Sequence, residues 1–362
     1  MCNILFDNII FSLQRGGGAS VVWQEHLHRI INEDEFVCRF IEYDNANTNM
    51  FRNLLDLPKD SITELSSNFL SVKRYWDLNI PNDEPFLFHS SHYRINKNKL
   101  CKNITTVHDF TYERYVKGIR RIVHSEQKWN SIKKADAVIC VSESTKRDLL
   151  HYIPAVDESK IRVVHNGVSP EFCTLSKDEY NLRLPFEDNG YILYVGSRHV
   201  PYKNFKTAVH ICSTLKLPLI TVGGEPLSKE EKKWLDMELS SANYANYWKT
   251  PIIELNELYN RALALVYPSV YEGFGIPIIE AQRASCPAIA FSTSSIPEII
   301  GVTDTLIEEI SINSMIEVVK RLASEGGFRD KVINQGLLNS SRFSWDNTYK
   351  GTLSVYKELL GK

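Results

Sequence analysis

Cysteine occurs seven times but never as Cys-x-x-Cys. The odd, scattered set (Cys2, Cys38, Cys101, Cys140, Cys173, Cys212, Cys286) offers neither a disulfide framework nor a zinc site, and a reducing compartment is expected. No apolar run approaches the ~18 residues needed to cross a bilayer. The N-terminus runs into Ile4-Leu5-Phe6 without a basic segment ahead of it, so no signal peptide is expected and the protein is expected to be cytoplasmic. Excess charge of either sign is missing too: 42 Lys and Arg against 44 Asp and Glu leave a net charge of −2. That balance argues against bulk nucleic-acid binding and confines any anion site to a local cluster. Asp-x-Asp does not occur, and His26-x-His28 and His89-x-x-His92 lack the further ligands of a metal centre. Neither a metal nor a cofactor is expected.

What is present is ordinary globular composition, 43% hydrophobic and 24% charged, in 362 residues. That length is better served by two hydrophobic cores than by one. Short β-branched or aromatic runs alternate with longer amphipathic stretches. Strands are predicted at 3–7, 37–42, 86–89, 104–108, 137–141, 161–165, 191–195, 219–222, 263–267 and 288–291, with helix-like segments such as 19–31, 146–152 and 257–262 between them. Such alternation predicts parallel sheets covered by helices, in two units. The charged, turn-rich stretch 174–190 reads as their connector.

The densest motif is Glu272-Gly-Phe-Gly-Ile-Pro-Ile-Ile-Glu280, directly after the apolar run 262–268. Its pattern predicts a strand, a glycine loop and a helix opening at Pro277, where the missing N–H has no intrahelical partner to lose. The N–H groups of Phe274, Gly275 and Ile276 would then face an anion or a sugar oxygen at the positive helix terminus. Glu280 is placed in the first turn and Glu272 in the loop before it. Acids that merely complement the helix dipole remain an alternative at this point. As a whole the motif resembles the Glu-seven-residues-Glu signature of the retaining family 4 glycosyltransferases. That resemblance implies an α/β chain of GT-B fold, with two Rossmann-like domains whose parallel sheets face across a cleft. It also implies that Glu280 holds the nucleotide ribose, while Glu272, Phe274 and Gly275 face the donor sugar.

Further segments fit the same resemblance in family order. Gln14-Arg-Gly-Gly-Gly-Ala-Ser20 follows the first strand and could cradle phosphate through its backbone. Val21 stands where a dinucleotide fingerprint needs glycine, so an NAD site is disfavoured. The resemblance assigns Gly17 and Gly18 to the donor diphosphate or the acceptor. Arg198 and Lys203 follow a predicted strand, where side chains reach the carboxyl-end crevice of an α/β sheet. Similarity assigns both to the donor pyrophosphate. In Thr105-Thr-Val-His-Asp-Phe110, a lone His beside an Asp is by itself commonly structural; the resemblance gives His108 to the donor sugar, with Asp109 as its support. Asn166-Gly167 reads first as a turn, and Ser295-Ile-Pro-Glu298 as a capping box.

The domains are expected at 1–175 (acceptor side) and 188–342 (nucleotide-sugar side), with 343–362 packing back on the first. The implied function is a retaining, metal-independent glycosyltransferase, since the Asp-x-Asp of the other major transferase architecture is absent. Its donor is a nucleotide-diphosphate sugar, with GDP-mannose as the first guess. Its acceptor is a glycan or lipid-linked glycan in polysaccharide biosynthesis. Catalytic weight falls on His108 and Glu272. A GT-B epimerase, a phosphorylase and a silent binding module are the alternatives. Seven basic residues between Arg114 and Lys134, against the single acid Glu126, read by default as a solvated helix. The alternative is a peripheral contact with anionic lipid on the inner membrane face.

Overall fold

A computed structural model of the chain describes residues 2–362. Two compact units result: an N-terminal unit of residues up to 167 together with 345–362, and a C-terminal unit of residues 168–344.

The N-terminal unit is built on a seven-stranded, all-parallel sheet. Its strands are β1 (Cys2–Asp7), β2 (Phe36–Tyr43), β3 (Ile62–Leu65), β4 (Phe86–Ser90), β5 (Cys101–Val107), β6 (Ala137–Cys140) and β7 (Ile161–Val163), in the order β3-β2-β1-β4-β5-β6-β7. The central strands are apolar and buried, as a sheet covered on both faces requires. The helix Gly18–Ile30 packs Trp23, Leu27 and Ile30 on this core, and the closing helix Trp345–Leu359 adds Tyr349, Val355 and Tyr356 to the same cluster.

The C-terminal unit repeats the principle with a six-stranded parallel sheet. Here β8 (Ile192–Val195), β9 (Leu219–Val222), β10 (Tyr244–Tyr247), β11 (Ala264–Tyr267), β12 (Ala288–Phe291) and β13 (Leu306–Ile307) run in the order β10-β9-β8-β11-β12-β13. In each sheet the strand order reverses beside the first strand, between β1 and β4 and between β8 and β11. Such switch points open a crevice at the carboxyl ends of the strands. Among the described residues no helix is long and apolar enough to cross a membrane.

Three strands were not anticipated, and all lie at sheet edges. β3 and β10 are only partly buried, and β13 has two residues, so none carries a readable apolar run. The stretch 174–190 is not a loose connector. Glu257 accepts the N–H groups of Asn181 and Leu182, and Asn260 accepts that of Leu175, which pins the segment to the helix Ile252–Arg261 of the C-terminal unit.

Candidate functional site

The C-terminal unit gathers its polar chemistry at the β8/β11 switch point. After β8 the chain makes a tight turn at Pro201–Lys203, and after β11 it enters the loop 268–275. Lys203 Nζ lies 2.8 Å from Glu272 Oε1, both side chains being mostly but not wholly buried. Tyr267 also hydrogen-bonds the Glu272 carboxylate. Two serines hold the loop. The Glu272 N–H donates to Ser294 Oγ at 2.8 Å, and the single proton of the Ser295 hydroxyl is shared between the carbonyls of Glu272 (2.9 Å) and Phe274 (2.8 Å). Ser295 therefore clamps the loop and makes no side-chain bond to the helix it precedes, contrary to the capping-box expectation. No local pattern signals such a long-range bond.

The next helix begins at Ile276, with Pro277 second, so the expected start is displaced by one residue. Gly275 takes φ 107°, a left-handed conformation that glycine tolerates best. Gly275 and Ile276 present N–H groups at the helix opening. Glu280 is the fifth helical residue and lies beyond the first turn, which contains no acid. Its partner is the Tyr259 hydroxyl, which donates to Oε2 at 2.9 Å, and burial pushes the Glu280 carboxyl up to about 7. A half-buried carboxylate with one partner retains acceptor capacity for a ligand.

Arg198 differs from the picture of a cation held out toward phosphate. Its guanidinium is buried and makes four hydrogen bonds: Nε to Glu231 (3.0 Å), Nη1 to the Gly223 carbonyl (3.0 Å) and Asn246 Oδ1 (3.0 Å), and Nη2 to the Glu225 carbonyl (2.6 Å). Four of the five N–H groups of an arginine are thus used within the protein. The bonds tie down the loop after β9, where Gly223 (φ 93°) and Gly224 (φ 70°) are both left-handed. A side chain at Gly224 would start 3.2 Å from Nη1.

The N-terminal unit carries a second set of candidates. A helical turn, Ile10–Leu13, separates the glycine segment from β1, so the loop does not follow the strand directly as expected. Gly17 caps the helix Gly18–Ile30, and space is open above Gly18. Buried Asn49 braces this loop, donating to the Gln14 carbonyl (2.8 Å) and to Ser20 Oγ (2.9 Å). Sequence reading overlooked Asn49 because its partners are some thirty residues away.

His108 sits just past β5, half-buried, at a cavity of about 30 Å³ that His26, His89, Thr106 and Asn166 also line. Burial lowers its pKa, the Asp109 charge opposes that shift, and Lys128 adds to it. Asp109 accepts the Thr111 N–H at 2.8 Å, so it fixes the chain beyond His108 as well as supplying charge. Three more of the cavity's lining residues, His26, His89 and Thr106, belong to a buried hydrogen-bonded chain. His26 Nε2 is 2.8 Å from the Tyr356 hydroxyl, which lies 2.6 Å from His89 Nδ1, and His89 Nε2 is 2.9 Å from Thr106 Oγ1. Burial drives the His26 pKa down to about 3 and that of His89 well below its usual value, so both rings are neutral.

The basic stretch is less uniform than its composition. Lys128 is fully buried against Glu113 at 2.7 Å, and Arg114 pairs with Asp148 at 2.5 Å. Lys117, Arg120, Arg121, Lys133 and Lys134 remain exposed. Among the described residues no cluster of three or more His, Cys, Asp or Glu could hold a metal ion.

Residues 176–338 match the family described as glycosyl transferases group 1, and residues 75–172 match glycosyltransferase family 4. Escherichia coli O-antigen chain mannosyltransferase B is 25% identical over 293 residues, 76% of this chain and 74% of that protein. The serotype-specific mannosyltransferase WbdA of the same species is 25% identical over 75% of this chain, which spans only 36% of WbdA. Among solved structures, sucrose-phosphate synthase from Thermosynechococcus elongatus superimposes with a TM-score of 0.76 at 15% identity, covering both chains completely. Anabaena HepE in complex with UDP and glucose gives 0.72 at 13% identity, over 99% of this chain and 100% of HepE.

Proposed function

Because the chain belongs to the glycosyl transferases group 1 family, and is a glycosyltransferase of GT-B fold, we propose that it moves a hexose from a nucleoside diphosphate sugar to a glycan acceptor. The observation that carries this reading is the Lys203–Glu272 pair at the β8/β11 crevice, with Glu280 one turn behind it. A departing nucleoside diphosphate needs a cation fixed where negative charge grows, and Lys203 supplies a compact one without reorganisation. The N–H groups of Gly275 and Ile276 add the positive end of a helix. Glu280 takes the ribose hydroxyls, and Glu272 with Phe274 takes the sugar. Gly17, Gly18 and His108 serve the sugar and acceptor from the N-terminal unit. Arg198 acts through the Gly223–Glu225 loop that it holds, with a single N–H left for the ligand.

In the proposed reaction the anomeric C1–O bond to phosphate breaks and a C1–O bond to the acceptor forms on the same face. Departure and attack on one face retain the configuration, and the acceptor proton passes to the leaving phosphate oxygen; the proposed reaction needs no metal. Mannose is the proposed sugar, since two E. coli relatives carry mannosyltransferase in their names. The proposed acceptor is a glycan or lipid-linked glycan of polysaccharide biosynthesis, extended in the cytoplasm at the inner membrane face. Nucleotide release from GDP-, UDP-, ADP- and dTDP-sugars in EDTA, with and without acceptors, tests the reading. One donor is expected to be consumed, and Lys203→Ala to cut the rate by about 10²–10³ with little change in Tm. Silence with every donor, without a thermal shift by any nucleotide, would refute it.

A further inference from the structure

The N-terminal unit departs from ordinary surface chemistry in one place. The helix Ile119–Lys134 exposes Ile119 (72%) and Ile122 (58%) in its first turn, with Val123 beside them. Spacing of three and four residues puts them on one stripe. The N-cap position is Gly118, which makes no side-chain cap, and the first turn holds no acid. It carries Arg120 and Arg121, cations at the end where the helix dipole disfavours them. Lys117 lies just before. None of these three cations has an ion-pair partner among the described residues.

A second element lies alongside. Gln127 Nε2 donates to the Arg74 carbonyl at 2.5 Å, and Asn130 Nδ2 lies 3.4 Å from Asp77, joining this helix to the short helix Leu70–Lys73 and its flank. That element exposes Phe69 (80%) and Trp76 (61%). Phe69 is moreover left-handed, with φ 60°, which costs a bulky residue free energy that no burial returns. Uncapped, cation-bearing, apolar and strained features on two joined elements are the kind of local conflict that function explains better than folding.

We propose that this face docks on an anionic lipid bilayer, with Phe69, Trp76, Ile119 and Ile122 entering the headgroup boundary and Lys117, Arg120 and Arg121 meeting lipid phosphates. The choice of occupant rests on charge. The chain as a whole is slightly acidic, at −2, yet Ile119 and Ile122 are edged by the unpaired cations Lys117, Arg120 and Arg121, with Glu126 as the exposed acid on the same helix. Aliphatic and aromatic residues beside cations match the depth profile of an anionic membrane surface. A second copy would instead set like charges against each other. The inference deepens the proposed use of a membrane-borne acceptor, but the contact itself needs no particular donor or sugar.

The test is co-sedimentation of the full chain with vesicles of phosphatidylcholine alone and with 30% phosphatidylglycerol, at low and high salt. Binding is expected only to the anionic vesicles, weakened by salt. Both Arg120→Gln/Arg121→Gln and Ile119→Ser/Ile122→Ser should lower it about tenfold. Lys133→Gln/Lys134→Gln, at the far end of the helix, should not, and the wild-type Trp fluorescence blue shift should shrink in Trp76→Phe. Nucleotide release with a soluble acceptor should be unchanged in every variant, which separates failure of this proposal from failure of the transferase reading. Equal binding to neutral vesicles, no binding, insensitivity to both double variants, or a concentration-dependent dimer abolished by Ile119→Ser/Ile122→Ser would overturn it.

Discussion

Glu280 allows a test in which binding and stability must move in opposite directions. Burial raises its carboxyl pKa from the usual 4.5 to about 7. An ionised carboxylate accepts two ribose hydroxyls, whereas the protonated acid turns one oxygen into a donor. Nucleotide should therefore bind mainly to the ionised form. With a pKa of 7 the ionised fraction is about 9% at pH 6 and about 91% at pH 8, so affinity should rise about tenfold, or ~1.4 kcal/mol. Binding at pH 7 should release about half a proton, visible by calorimetry in buffers of different ionisation enthalpy. The nucleotide phosphate itself titrates near pH 6, so Glu280→Gln provides the background. Stability runs the other way. A carboxyl raised in the folded state contributes stability below its unfolded pKa and loses it as pH rises through about 7. Ionised Glu280 thus costs the ligand-free fold up to about 3 kcal/mol at pH 8. Glu280→Gln should raise Tm at pH 8, leave it nearly unchanged at about pH 4, below the unfolded pKa, and weaken nucleotide at pH 8. Parallel pH profiles for wild type and variant, in affinity or in Tm, would refute the argument.

The remaining predictions concern residues that hold others. Arg198→Lys loses most of a four-bond fork in a buried site and should destabilise the C-terminal unit by about 2–4 kcal/mol, measured by urea melts. Lys203→Ala, by contrast, should lower activity with the fold intact. Ser295→Ala removes the clamp on the Glu272 and Phe274 carbonyls; activity should fall about tenfold or more, while stability drops by only about 1 kcal/mol. Tyr356→Phe strands ring nitrogens of His26 and His89 without their shared hydroxyl and should cost about 1–3 kcal/mol, read from the thermal transition of the N-terminal unit.

The central strands and the Glu272–Glu280 segment were legible because burial on both faces writes unbroken apolar runs and a helix start writes Gly and Pro. Edge strands such as Tyr244–Tyr247 were not, since a half-buried strand carries no such run. Residue type marked Lys203 and Arg198 equally as cations after a strand. Only the fold separates them, by giving Arg198 the carbonyls of Gly223 and Glu225 and giving Lys203 a carboxylate. Lys128 shows the same limit. Within a basic run it reads as solvated, yet Glu113, fifteen residues earlier, takes it into the core. Partners distant in the chain, as with Ser295 and Asn49, leave no local trace.

The closing helix belongs to the N-terminal unit although the whole C-terminal unit is written before it. One domain is thus inserted inside another, and the order of synthesis cannot be the order of completion. When residue 167 is made, the N-terminal sheet still lacks Tyr349, Val355 and Tyr356 from its core, and His26 and His89 lack their common partner. At about 5–20 residues per second, translation leaves that gap open for about 10–40 seconds. The guest domain has all its strands in hand before the host can close. Proteolysis of ribosome-bound chains should therefore find residues 168–344 protected first, and the host becoming resistant only once residue 356 has cleared the exit tunnel.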